Sequence, residues 1–231
     1  MFSYNFNIST SSIISMPLPS TALPSLTARR TAWCGVERIG ALLAAPAASR
    51  PALAPWQVHD YANLGVLPAL VALTAVALWR SQERWYRALA QCMLVYVAVD
   101  SVWIAAVPSI VKGPYAVLVH HVATLALLWH PLTHRAHLRY VAWMTVVELN
   151  TWLLIARRHF KRFWLEGMFT ATWVAGRMVW FPYAAVHMSF FSAGWPTGAP
   201  GARRRALVSA CTFTLTLLQL RWSWQILGRR R

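Results

Sequence analysis

The chain has 231 residues, 58% of them hydrophobic and only 12% charged, with 14 tryptophans and a positive mean hydropathy. A soluble domain of this length has no use for so much apolar and indole surface, so a bilayer is the natural solvent. The formal net charge of +16 does not indicate a nucleic-acid partner, because the arginines sit in short clusters between apolar runs and form no basic face on one helix.

Residues 1–55 are rich in Ser, Thr, Ala and Pro, with Arg29, Arg30, Arg38 and Arg50 against one acid, Glu37. They read as a disordered or targeting N-terminal tail, since acid-poor, Arg-bearing sequence of this kind also fits an organelle transit peptide. The apolar stretch at residues 39–45 is too short to span a bilayer, and Asn7-Ile8-Ser9 has the form of a glycosylation sequon.

Six apolar runs follow, at residues 62–79, 88–107, 115–129, 138–156, 164–191 and 206–227. Most match the roughly 20 residues needed to cross hydrocarbon, which predicts an all-α polytopic transmembrane bundle of about six helices. The third run, hemmed in by Pro114 and Pro131, reads as a short, bent or re-entrant helix. Pro182 removes a backbone donor from the long fifth run and should bend it. Trp79, Trp85, Trp129, Trp164 and Trp224 fall near run ends, where an indole anchors at the headgroup level. Basic residues occupy both sets of connections: Arg80, Arg84, Arg87, Arg135, Arg139 and Arg203 to Arg205 on one side, Lys112, Arg157, Arg158, Lys161 and Arg162 on the other. With the tail and Arg229 to Arg231 added to the second side, both termini are expected in the cytosol.

Cys34, Cys92 and Cys211 are far apart and lack metal-ligand spacing, and no phosphate-loop, dinucleotide, zincin or nucleophile-elbow signature occurs. No metal or cofactor is expected. His130, His134 and His137 lie outside the runs, where an exposed loop accounts for them.

The informative residues are the polar ones inside the runs: Asp100 in the second, His120 and His121 in the third, Glu148 and Asn150 in the fourth, Arg177 in the fifth, Gln219 and Arg221 in the sixth. An Asp or Arg at mid-bilayer costs about 2.5–3.5 kcal/mol on insertion scales, so several on separate helices must face a shared interior and pair. Adjacent helical residues point about 100° apart, so His120 and His121 should face different neighbours. Tyr96 lies one turn before Asp100 and Thr124 one turn after His120, each placed to extend a hydrogen-bonded network. Arg221 reaches the interface by snorkelling. Such groups either tie helices together or line a functional site.

Three stretches, Leu94 through Asp100, Val119 through Thr124 and Val147 through Thr151 with Arg157 beyond, followed by Phe169 through Arg177 to Pro182, together resemble the TLC domain family over residues 60–228. That membrane domain is shared by translocating-chain-associating proteins, ceramide synthases, a ceroid-lipofuscinosis protein and a group of lipid-homeostasis proteins. The resemblance implies a helical bundle with a central cavity for a membrane lipid or acyl chain, most often in the endoplasmic reticulum. It also marks Asp100, His120, His121, Glu148, Asn150 and Arg177 as site positions. Ceramide synthases carry a His-Asp pair and a further Asp after the His-His pair. Here residues 139–148 keep only the closing acid, Glu148, which places the chain nearer the non-ceramide-synthase members. Three functions follow: lipid binding, sensing or handling in membrane lipid homeostasis; acyl-CoA-dependent acyl transfer with His120 or His121 as base, Asp100 or Glu148 as its orienting acid and Arg177 on an oxyanion or phosphate; or a cargo or translocation partner in the endoplasmic reticulum.

Overall fold

A computed structural model describes residues 53–192, 195 and 197–227. The expected disordered or targeting tail falls, through residue 52, outside the described residues, as do the sequon and the closing arginines. Every described regular element is helical, and all six apolar runs become rods.

The first rod is α1, Pro55–Arg80, which starts well before the apolar run because Pro55 suits a first helical position, where no backbone donor is needed. Ser81 closes it in the left-handed region (φ 49°), donating its N–H to Ala77 O. The second is α2, Glu83–Ala106, and the third is α3, Pro114–Thr133. These three are each long and apolar enough to cross a membrane. The third rod is therefore not short or re-entrant. Pro114 sits in its first turn, where proline is tolerated, and Pro131 falls in the last turn, too late to break it.

The fourth rod breaks into α4, Leu138–Thr145, and α5, Glu148–His159. The fifth runs through α6, Phe163–Thr172, a π-helical stretch Trp173–Trp180, α7, Phe181–Val186, and a second π-helical stretch His187–Phe191. The disturbance predicted at Pro182 takes this form: a proline ring clashes with the carbonyl four residues back, and widening the preceding turns relieves the clash. The sixth rod is α8, Gly198–Leu227.

Contacts order the rods in a ring. The first packs on the second, the second on the third, the third on α8, α8 on α7 and its π-helical flanks, α6 on α5, and α5 on the first, while α4 leans inward to touch α2 and α3. One core cluster joins the first three rods with α4 through Leu70, Ala77, Leu89, Met93 and Leu128. A second joins α3, α4, α7 and α8 through Leu127, Tyr140, Phe181 and Leu215. Outward faces are apolar: Trp79 is 86% exposed and Trp224 81%, as anchors at a lipid boundary would be. Trp85 instead packs against the first cluster.

Polar contacts sort the two ends of the bundle as the connections predict. Glu83 pairs with Arg135 (3.4 Å) and Arg87 (2.8 Å), and Arg204 contacts His134, at one end. At the other, Arg158 Nη1 and His159 Nε2 meet the buried Asp60 (3.3 and 3.2 Å), and Arg157 meets Glu166 (2.9 Å). The expected loop histidines are largely inside the protein: His130 is 6% exposed and His137 is fully buried. Helix α3 continues through His130, and a tight turn at Arg135–His137 folds His137 back so that its Nδ1 lies 2.8 Å from His130 Nε2, with Trp195 stacked on the His130 ring and tilted against that of His137.

Candidate functional site

The polar residues singled out in the sequence do not form one cluster. They divide between two clusters and the lining of a cavity, and the adjacent His120 and His121, their ring centroids 5.8 Å apart, part ways: His121 joins the first cluster and His120 lines the cavity.

In the first, Asp100 on α2 is held between imidazoles of two other rods. His59 Nε2 lies 2.6 Å from Oδ1, and His121 Nε2 lies 3.6 Å from Oδ2. All three residues are buried. His59 also meets the edge of Trp103 and the amide of Asn63, whose Oδ1 accepts a hydrogen bond from Tyr96 Oη (2.9 Å). Tyr96 thus joins Asp100 through Asn63 and His59, not directly. On the other flank, His121 Nδ1 lies 3.1 Å from Ser101 Oγ, which also reaches Val97 O. Asp100 is thus within hydrogen-bond distance of the His59 ring and only at ion-pair distance from the His121 ring.

The second cluster is built on Arg177, buried in the π-helical stretch of the fifth rod. Its Nε donates to Asn150 Oδ1 (2.9 Å), its Nη1 to Gln219 Oε1 (2.9 Å) and its Nη2 to Thr151 Oγ1 (2.5 Å). Its guanidinium carbon lies 5.0 Å from the centroid of Trp173. Asn150 is saturated in turn: Nδ2 donates to Phe169 O and Thr172 Oγ1, both at 3.0 Å. Buried, desolvated cations require such donors' partners, and here neutral oxygens from two rods supply them. Among the described residues no cation lies within 4 Å of the Glu148 carboxylate, so Glu148 and Arg177 form no direct salt bridge.

Glu148 instead faces a cavity of about 60 Å³ between α2, α3, α4, the start of α5, α7 and α8. Its polar lining residues are His120, Thr124, Tyr140, Thr145, Glu148 and Gln219; the rest includes Met93, Leu127, Met144, Val147, Phe181 and Leu215. The lining on α3 runs from His120 to Pro131, about 16 Å at the helical rise. Thr124 does not extend a network from the His120 ring, because its hydroxyl donates to His120 O, one turn back (2.8 Å). The His120 ring lies 5.5 Å from that of Trp222. Two buried polar atoms on this wall, His120 Nδ1 and Gln219 Nε2, lack a hydrogen-bond partner.

The residues that sequence reasoning missed are His59, Asn63, Ser101 and Thr151. His59 and Asn63 lie at or before the edge of the first apolar run, yet they continue its buried stripe at helical spacing, His59, Asn63, Leu67, Leu70, Thr74 and Ala77. That periodicity was the available signal.

An α-helical membrane protein whose rods enclose a largely apolar cavity beside two buried polar clusters is the class these features define. The TLC domain model matches residues 61–228, most of the chain, and the protein belongs to that family. No curated protein and no solved structure matches it. The match begins after His59, so the first of the two imidazoles on Asp100 stands outside it.

Proposed function

We propose that this protein binds the acyl chain of a membrane lipid in the cavity and acts in membrane lipid homeostasis, as one of the members of its family that are not ceramide synthases. The supporting observation is the cavity itself: largely apolar, with His120, Thr124, Glu148 and Gln219 among its lining residues, in a chain that the TLC domain spans. Buried beside it, His120 Nδ1 and Gln219 Nε2 have no hydrogen-bond partner, whereas a wholly structural polar core would pair such atoms internally. The positions proposed to form the site are His120, Thr124, Glu148 and Gln219 at the polar end, with Asp100, His121, Tyr96, Asn150 and Arg177 holding the rods around it. The endoplasmic reticulum is the proposed compartment, by resemblance to the family.

Native mass spectrometry of the gently solubilised protein tests the reading. A near-stoichiometric lipid should accompany the wild type, and Leu215→Trp, which pushes an indole into the cavity, should weaken its retention at least roughly tenfold. A wild type that carries no lipid, or a Leu215→Trp protein that keeps as much as the wild type, removes the basis for it.

A further inference from the structure

At the end of the bundle that carries Glu83, rings from α4 and the fifth rod close on one another. Tyr140 meets Trp143 (centroids 5.4 Å apart), Trp143 meets Trp180 (5.6 Å), Trp180 meets Tyr183 (5.8 Å), and Tyr183 meets His187 (5.9 Å), which returns to Tyr140 (5.9 Å). Trp180 Nε1 donates to Trp143 O (2.7 Å) and fixes the two rods in this register. Arg139 sits over the loop of rings, its guanidinium carbon 5.1 Å from the centroid of Tyr140 and 5.7 Å from that of Trp143. A guanidinium held over aromatic faces is braced through its plane and keeps N–H groups at its edge for another partner.

One phenol ties two donors together. Tyr140 is 1% exposed, and its Oη accepts from Arg139 Nη2 (3.3 Å) and lies 2.9 Å from His187 Nδ1. Arg139 can only donate, so the acceptor for the tyrosine's own hydrogen is His187 Nδ1. That assigns the imidazole tautomer: Nδ1 accepts, and the proton sits on Nε2, on the side of the ring turned away from the phenol. Arg139 is exposed and His187 partly so, and Nε2 is not among the enclosed unpartnered nitrogens of the described residues.

The site has no anion of its own. Among the described residues Glu83 is the one acid at this end, and it already pairs with Arg87 and Arg135. From His187 toward the middle of the bundle, the fifth rod turns Tyr183, Val186 and Val179 outward, all of them exposed. A cation and a neutral donor therefore stand at the head of an apolar outer face, which is the pattern of a lipid with its phosphate at the surface and its chain beneath.

We propose that Arg139 and His187 hold the head of an anionic phospholipid on the outside of the bundle: the N–H edge of Arg139 donates to phosphate oxygens, His187 Nε2–H donates to an oxygen of the same head, and an acyl chain lies along Val179 and Val186. This site goes beyond the inner cavity and stands whether or not that cavity takes a lipid. A choline head would set a second cation beside Arg139. A soluble anion would meet the same donors and gain nothing from the apolar face.

The test titrates the full chain, delipidated in detergent micelles, with dioleoylphosphatidylglycerol, dioleoylphosphatidylcholine and glycerol 3-phosphate, and counts bound molecules by native mass spectrometry. The wild type should bind phosphatidylglycerol roughly tenfold more tightly than phosphatidylcholine. Arg139→Gln keeps a donor for Tyr140 and removes the charge, and should weaken phosphatidylglycerol binding roughly tenfold. His187→Phe keeps a ring in the loop, removes the second donor and should weaken it roughly threefold. Arg84, exposed over the Trp85 ring at the same end, supplies the control: Arg84→Gln removes an equal charge and should change binding less than about twofold. Equal losses in Arg139→Gln and Arg84→Gln would reveal a diffuse field and overturn the proposal. So would an unchanged affinity in His187→Phe, phosphatidylcholine bound as tightly as phosphatidylglycerol, or glycerol 3-phosphate competing on equal terms with the lipid. Should Arg139→Gln fail to fold, Arg139→Lys decides, because it keeps the charge and loses the flat fork: binding should still fall roughly threefold, and wild-type binding there overturns the proposal.

Discussion

Replacing Asn150 with leucine should lower the unfolding free energy by about 3 kcal/mol, among the largest effects of any single change in this chain. Leucine matches asparagine in bulk and leaves no cavity, so the loss isolates the polar role. Asn150 is 1% exposed, and its Oδ1 is the acceptor for Arg177 Nε. The substitution leaves a buried guanidinium N–H with nothing to bond to, and orphaning a charged donor costs more than losing a neutral hydrogen bond. Phe169 O and Thr172 Oγ1, the two other partners lost, keep their contact with one another and so contribute less. The double variant Asn150→Leu, Arg177→Leu should be more stable than Asn150→Leu alone, because removing the unsatisfied cation removes the main penalty. Equilibrium unfolding in mixed micelles measures all three proteins. Additive losses in the double variant would show that Arg177 does not depend on Asn150.

At the opposite end of α5, an asymmetry should separate two partners of one ion pair. The Asp60 side chain is 4% exposed and that of Arg158 is 35% exposed. Deleting the guanidinium with Arg158→Ala leaves a buried carboxylate with one fewer donor, which should cost about 2–3 kcal/mol. Neutralising the acid with Asp60→Asn lets Arg158 turn toward water and keeps a side chain that can still accept from His159, so the cost should stay under about 1 kcal/mol. The same unfolding measurement compares them. Equal losses, or a larger one for Asp60→Asn, would mean that Asp60 is hydrated in the folded protein and that its burial does not set the energetics.

Much of the architecture was legible because hydrophobic length is a strong signal in a membrane: all six rods appear where the apolar runs lie. The rods' ends were less so. A proline at the start of α3 looked like a limit to the helix, yet it occupies a position where helices accept it, and the rod is full length. At the site, the argument that His120 and His121 must diverge held, since helical geometry alone requires it. The pairing did not follow from sequence. The expectation that the buried ionisable groups pair with one another passes over neutral groups, and Arg177 is satisfied by three of them, Asn150, Thr151 and Gln219. His59 escaped notice because hydropathy, which averages over a window, places the start of a span after the first polar turn, whereas the buried stripe of α1 begins within that turn.

The closing of the ring by the last rod has a bearing on how the chain is made. Arg177 leaves the ribosome forty-two residues ahead of Gln219, the acceptor for its Nη1. Until α8 arrives beside α3, a nascent chain must shelter one guanidinium N–H from acyl chains by other means, whether a water defect, the insertion machinery or a retracted fifth segment. A stop codon between Arg177 and Gln219 therefore leaves that N–H inside the bilayer without its acceptor, while Asn150 and Thr151 still hold the other two nitrogens.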